Sequence, residues 1–185
     1  MSTATVSSKA GTVSPTSQQA PLIRARDEGP RRWFYGGGVH TWKATEADTG
    51  GAFLLFEMSI EQGKVTPLHT HPDSDETMYV LDGEILMHID GRDHPISTGG
   101  LVSAPRGVPH AFMVVSETAR ILCLHTPGCC QAFYMDASEP LLENRTPSGV
   151  VDFDRVRDSA QRNGGIELLG PPPFAAPVAS VTAAL

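Results

Sequence analysis

Three histidines and one glutamate define the chemistry open to this chain. His69 and His71 flank a single residue, Glu76 follows in the next stretch, and His110 comes from a later cluster. Neutral imidazole suits iron, nickel, copper and zinc, and a carboxylate neutralises part of a divalent ion's charge. A metal held this way keeps coordination positions for water, substrate or dioxygen, where it can act as a Lewis acid or in redox chemistry. Each histidine alone would fit a core residue with satisfied hydrogen bonds. The four residues together, in a single copy, point to one divalent ion per chain, with Fe, Ni, Co, Mn, Cu and Zn all compatible.

The elements that must position these side chains are short strands. Residues at i and i+2 of a strand share a face, so His69 and His71 both point inward. Glu76 follows the loop Pro72-Asp73-Ser74-Asp75 and opens the next strand. His110 is aimed by a turn in which Pro105 fixes one dihedral and Gly107 permits an unusual one. Residues 53–60 alternate, with Leu54, Phe56, Met58 and Ile60 on one face, as in a strand with a buried side. The runs 77–81 and 84–90 flank Asp82-Gly83, a dipeptide that signals a hairpin. Asp90-Gly91 and Thr98-Gly99-Gly100 mark further turns, and 94–97, 101–104, 111–115 and 119–125 read as strands. Many short strands with Gly-rich turns predict an all-β sandwich or barrel. Helix is expected only late, over 152–163 with Gly164-Gly165 as its stop, and more briefly over 131–135. The expected organisation is a disordered tail over 1–20, a β-barrel over 21–150, a helix and extension over 151–170, and a flexible tail over 171–185.

These residues resemble the two motifs of the cupin superfamily. The first runs Gly63, five residues, His69-x-His71, four residues, Glu76, six residues, Gly83. The second runs Gly99, five residues, Pro105-x-Gly107, two residues, His110. The closing position departs, because Val114 stands where the family motif has Asn. A narrower resemblance is to single-domain, quercetin 2,3-dioxygenase-like cupins. It rests on DSDETMYVLDGEILMHIDGR, on PRGVPHAF with ETARILCLHTPG, on CCQAFYMDASEP, and on GIELLGPPP after the closing helix. The resemblance implies a jelly-roll β-barrel, metal ligation by His69, His71, Glu76 and His110, and a homodimer in which residues 23–35 cover a sheet edge. In flavonol dioxygenases the motif glutamate also accepts a proton from a substrate hydroxyl, so Glu76 is implied as base as well as ligand. Val114 shares strand parity with His110 and Phe112 and is expected to face the cavity. An apolar wall of that kind suits an aromatic or polyketide-like substrate.

None of His40, His88, His94 and His125 is assigned to the metal: His94 is expected at the surface, His88 has no clear face, and His40 and His125 either line the cavity or pack in a structural role. Tyr79, Phe112, Met78 and Met87 are expected in the core or cavity wall, and Asp73 and Asp75 as solvated loop charges. Cys123, Cys129 and Cys130 form neither a disulfide framework nor a zinc knuckle and read as reduced, structural thiols. A net charge of -7 without a basic stripe argues against nucleic acid and anionic membranes as partners. No apolar run approaches the roughly 20 residues that span a bilayer. The N-terminal stretch lacks the apolar segment of a secretory signal, so a cytoplasmic location is expected.

The leading expectation is a metal-dependent dioxygenase acting on a flavonol or another hydroxylated aromatic or polyketide-like small molecule. One alternative is a non-redox isomerase, cyclase or dehydratase of natural-product metabolism, with the metal as Lewis acid. Another is a small-molecule-binding cupin without turnover.

Overall fold

The computed structural model describes residues 19–141 and 151–174. The tails expected at the two ends therefore lie largely outside the described residues. In chain order the elements are β1 (Arg31–Phe34), β2 (Val39–Ala44), α1 (Glu46–Thr49), β3 (Leu54–Glu61), β4 (Leu68–Thr70) and β5 (Asp75–Asp82). They continue with β6 (Glu84–Ile89), β7 (Arg92–Ser97), β8 (Leu101–Ala104), β9 (His110–Val114) and β10 (Thr118–Thr126). The chain closes with α2 (Gln131–Asp136), β11 (Ser138–Pro140), α3 (Phe153–Asn163) and β12 (Glu167–Gly170). The strands form two antiparallel sheets, ordered β11-β1-β2-β3-β10-β5-β8 and β12-β4-β9-β6-β7. The all-β class and the late helix agree with the sequence expectation.

Period-two patterning explains where the core lies. On β3 the buried residues are Leu54, Phe56, Met58 and Ile60, and on β10 they are Ala119, Ile121, Cys123 and His125. These pair in register as Ile60 with Ala119, Met58 with Ile121, Phe56 with Cys123, and Leu54 with His125. Across β3 and β10 this face is therefore apolar until His125 interrupts it. Trp42, Phe56 and Phe133 are among the largest fully buried side chains. Each contributes about 1.5–3 kcal/mol by removal from water, on the scale for large apolar side chains.

The Asp82-Gly83 dipeptide does not make the expected hairpin. β5 lies between β10 and β8 in one sheet, so neither of its edges is free for β6, which joins the other sheet. Gly83, at φ 82°, is the crossing point. A Cβ there would lie 2.3 Å from the Thr118 carbonyl oxygen, so glycine is required by a close approach rather than by a two-residue loop. The hairpin instead joins β6 to β7 through Asp90 (φ 54°) and Gly91 (φ 67°), the paired left-handed residues that suit a strand-to-strand turn. Two smaller expectations also change. Tyr79 is 41% exposed rather than in the core. β1 pairs with β2 and β11 of its own chain, so that part of the N-terminal segment is already used within the sheet.

Sequence logic also explains α3. The Asp152 side chain caps it by accepting from the Arg155 backbone N–H, and Gly164 ends it at φ 66°. Val156, Ser159 and Ala160 form its buried stripe. The Ser159 hydroxyl donates to the Phe133 carbonyl at 2.9 Å, tying α3 to α2. β12 then runs antiparallel to β4, with Leu168 opposite His69. The C-terminal segment thus lies against the strand that carries the histidine pair.

Candidate metal centre

The four sequence-selected residues come from both sheets and meet between them. His69 on β4 is the direct antiparallel partner of His110 on β9. His71 follows β4 by one residue, and Glu76 is an inward position of β5 in the facing sheet. The ligand atoms of His69, His71, Glu76 and His110 all lie within 4.8 Å of one another, and all four residues are buried. The turn before His110 is anchored at the site itself, because the Gly107 N–H donates to the His71 carbonyl at 2.9 Å. Gly107 sits at φ 78°, with open space where a side chain would start, so its backbone angle is what calls for glycine.

The three imidazoles are held in one tautomer. Nδ1–H of His69 donates to the Pro67 carbonyl at 2.9 Å, that of His110 to Val108 at 2.9 Å, and that of His71 to Gly165 at 2.7 Å. A proton fixed on Nδ1 leaves Nε2 with a lone pair for a metal, the usual arrangement of metal-ligating histidine. His71 Nε2 is buried without a hydrogen-bond partner. Donors about 2.0–2.2 Å from a common ion lie at most about 4.4 Å apart. The 4.8 Å span therefore fits a divalent ion after shifts of a few tenths of an ångström. On donor chemistry, tautomer and the orphaned nitrogen, the residues fit the group.

Electrostatics supports the same assignment of roles. Burial, with the neighbouring His110 and His71, pushes His69 down to about 3, so it is a neutral donor. Burial pushes His110 down too, but the Glu76 carboxylate at 2.7 Å outweighs it and raises the imidazole above its ordinary value. For Glu76, burial pushes the carboxyl up, while the hydrogen bond from His110 and the close imidazoles of His71, 3.4 Å away, and His125 hold it well below the usual range. The site therefore carries a buried carboxylate, with His110 as its nearest imidazole.

Behind Glu76 lies a group of residues that sequence reasoning treated as packing. The Cys123 thiol donates to Glu76 Oε1 at 3.1 Å. Burial, with Glu76 beside it, pushes that thiol well up, so it stays protonated as a donor. His125 Nε2 is 3.5 Å from the same oxygen and 3.1 Å from the Tyr134 hydroxyl. The signal for this was present in strand parity, since Cys123 and His125 alternate on β10 and His125 pairs with Glu76 across the sheet. His88 pairs with Asp93 at 2.6 Å, away from the centre, and His94 is exposed. Asp75 forms a surface ion pair with Arg106.

A cavity of about 50 Å³ opens beside His69 and Glu76. Phe34, Met58, Ile60, Phe112, Ile166 and Leu168 are among its walls, so it is apolar as expected. Val114 is not among the lining residues. It is 1% exposed and faces inward, but it packs in the core. The apolar wall comes instead from Phe112, one step nearer His110 on the same face, and from β12.

Comparison with known proteins agrees with this geometry. Residues 56–125 match the cupin domain family. Quercetin 2,3-dioxygenase of Bacillus subtilis is 29% identical over 123 residues, covering 66% of this chain and 36% of that protein. The chain thus spans about a third of that relative's length. Protein SchB of Streptomyces halstedii is 28% identical over 139 residues, covering 74% of this chain and 99% of that protein. A solved structure from Thermotoga maritima, described as a predicted oxalate decarboxylase, aligns with TM-score 0.52 and 22% identity over 58% of this chain and 99% of that one. At that identity the likeness concerns the fold.

Proposed function

We propose, on the premise that the chain is a member of the cupin superfamily, that it is a metal-dependent oxidoreductase, a dioxygenase acting on a hydroxylated small molecule. The observation that carries the metal-dependent part is the set of three Nδ1-anchored imidazoles converging with one buried carboxylate. The likeness to quercetin 2,3-dioxygenase favours dioxygen chemistry on a flavonol or related aromatic or polyketide-like compound.

His69, His71, His110 and Glu76 would hold one divalent first-row ion. Bound there, the ion would supply Lewis acidity toward a substrate oxygen and, where redox-active, a route for electrons to dioxygen. The protein's own part is orientation, exclusion of water and proton handling. Glu76 divides its two oxygens: Oε1 receives the Cys123 thiol, while Oε2 faces the histidines. Oε2 would take the proton from a substrate hydroxyl. The apolar walls exclude water from that transfer.

Cavity size limits what enters. About 50 Å³ is small beside the ~300–1,000 Å³ of sites for drug-sized ligands. A three-ring flavonol would have to displace part of the α3–β12 cover, so a smaller substrate fits this conformation better. The test is oxygen uptake by the Fe, Ni, Co and Mn forms against flavonols and single-ring catechol-like compounds, with product mass recorded. Uptake with addition of two oxygen atoms supports the reading. No uptake with any metal form would overturn it, and a product of unchanged mass, or one lighter by water, would assign an isomerase, cyclase or dehydratase. Recovery of a bound, unchanged small molecule would assign a binding role. A homodimer is part of the same proposal, checked by light scattering.

A further inference from the structure

The metal cavity contains two nitrogen-bearing side chains that its ligand shell does not use. His40 is 2% exposed, lines the cavity, and is stacked between Phe34 at 4.7 Å and Phe56 at 4.8 Å. Among the described residues it has no hydrogen-bond partner. Lys64 lines the same cavity. Its Nζ lies 5.9 Å from the Phe34 ring and 5.6 Å from the Phe153 ring, within reach of cation–π attraction. No carboxylate or carbonyl among the described residues pairs with it.

Lys64 also stands at a junction. Gly37, Ile60 and Lys64 line both the inner cavity and an outer groove of about 670 Å³. The backbone makes room for it: a Cβ at Gly36 would come 3.1 Å from Nζ, and one at Gly37 would come 3.1 Å from Cδ. Lys64 is half-buried, and drawing its ammonium partly out of water among aromatic rings without a counterion is costly. Burial pushes Lys64 down to about 7, as that cost requires. The arrangement supplies the donors of an anion site.

We infer that Lys64, with His40 in the same cavity, is a second anchor of this cavity and binds a carboxylate of the substrate. The substrate class is then a small organic anion, one end held by Lys64 at the neck and the other presented to His69, His71, Glu76 and His110. This inference rests on the metal reading above, because it defines the two ends of the ligand. His40 is held neutral by burial, at about 3, so it adds one hydrogen bond and no charge. The apolar walls between the anchors match a short carbon chain or ring.

The experiment uses the full chain loaded with zinc, which is redox-silent. Calorimetry compares malonate, succinate and glutarate with propionate, butyrate and valerate. Wild type is expected to bind one of the dicarboxylates at least about 10-fold more tightly than its monocarboxylate counterpart, the lower end for a hydrogen bond to a charged group. Lys64→Met should abolish that preference with zinc content unchanged, and Lys64→Arg should keep most of it. Equal dicarboxylate affinity in zinc-loaded wild type and Lys64→Met would overturn the anchor and leave the metal reading standing. The same holds if wild type shows no preference. Failure of wild type to hold zinc would overturn both.

Discussion

Gly165 lies far from the histidine motif in sequence, yet its carbonyl orients His71, and replacing it by alanine tests how much that matters. Gly165 sits at φ 78°, where a Cβ costs about 1–2 kcal/mol. The added methyl would lie 2.8 Å from Cys130 Cβ and 2.9 Å from its Cα. Carbon–carbon contacts are ordinarily about 3.5–4.0 Å, so about 0.7 Å of overlap must be relieved by backbone movement. Overpacking of this kind costs about 1–3 kcal/mol. The total, about 2–5 kcal/mol, corresponds to a fall in Tm of roughly 4–20 °C for a chain of this size. The movement that relieves the clash also draws the Gly165 carbonyl away from His71 Nδ1, a 2.7 Å bond. Losing a partner that orients a metal-ligating histidine typically costs about 10–100-fold in metal affinity. Gly91→Ala is the control: its φ is 67°, nothing lies within 4 Å of the new methyl, and it sits in the β6–β7 turn. It should lower Tm by only a few degrees and leave metal affinity unchanged. Calorimetric unfolding of metal-free protein and zinc competition against a fluorescent chelator give both readouts. Gly165→Ala with wild-type zinc affinity, despite a lowered Tm, would refute the claim that this carbonyl sets the His71 ring.

Acid should destabilise the metal-free protein. His40, His69 and His125 are held near 3 by burial, so unfolding below their ordinary 6.5 takes up protons, and each costs about 1.4 kcal/mol of stability per pH unit. His110 acts oppositely: its raised value gives stability that is full below 6.5 and is lost as pH rises through the folded value. Denaturant midpoints should therefore fall steeply from about pH 7 to pH 5, and a flat profile would contradict the buried neutral histidines. Tyr134→Phe removes the hydroxyl 3.1 Å from His125 Nε2 and should cost about 1 kcal/mol, with metal content intact by elemental analysis. Arg106→Ala breaks only a surface pair with Asp75 and should leave the denaturant unfolding midpoint nearly unchanged.

The ligands were legible in the sequence because their placement is local. Strand parity sets His69 and His71, and the Pro105–Gly107 turn sets His110. Which sheet each ligand belongs to was not legible, because pairing is decided by which strand edges remain free. That is why Asp82-Gly83 reads as a hairpin but serves as a crossing, its glycine demanded by the Thr118 carbonyl. Val114 shows the same limit at smaller scale. Parity correctly turns it inward, yet inward means core at that level of β9 and cavity only nearer His110. Cys123 and His125 look like packing because nothing local reveals that β10 pairs with β5 and sets Glu76 opposite His125.

The tautomer bonds divide the site into a self-contained part and a borrowed part. His69 and His110 each donate Nδ1–H to the carbonyl two residues earlier, Pro67 and Val108. Those two rings are set by their own strands and by the direct pairing of β4 with β9. His71 instead donates to Gly165, which follows α3. Its orientation therefore depends on α3 being docked through Val156 and Ala160 and on β12 pairing with β4. The same segment supplies Ile166 and Leu168 to the cavity wall and, through Phe153, one of the two rings over Lys64. Whatever loosens the C-terminal segment must then weaken one metal ligand and open the cavity together. By linkage, an ion bound through His71 must hold that segment in place by the same free energy.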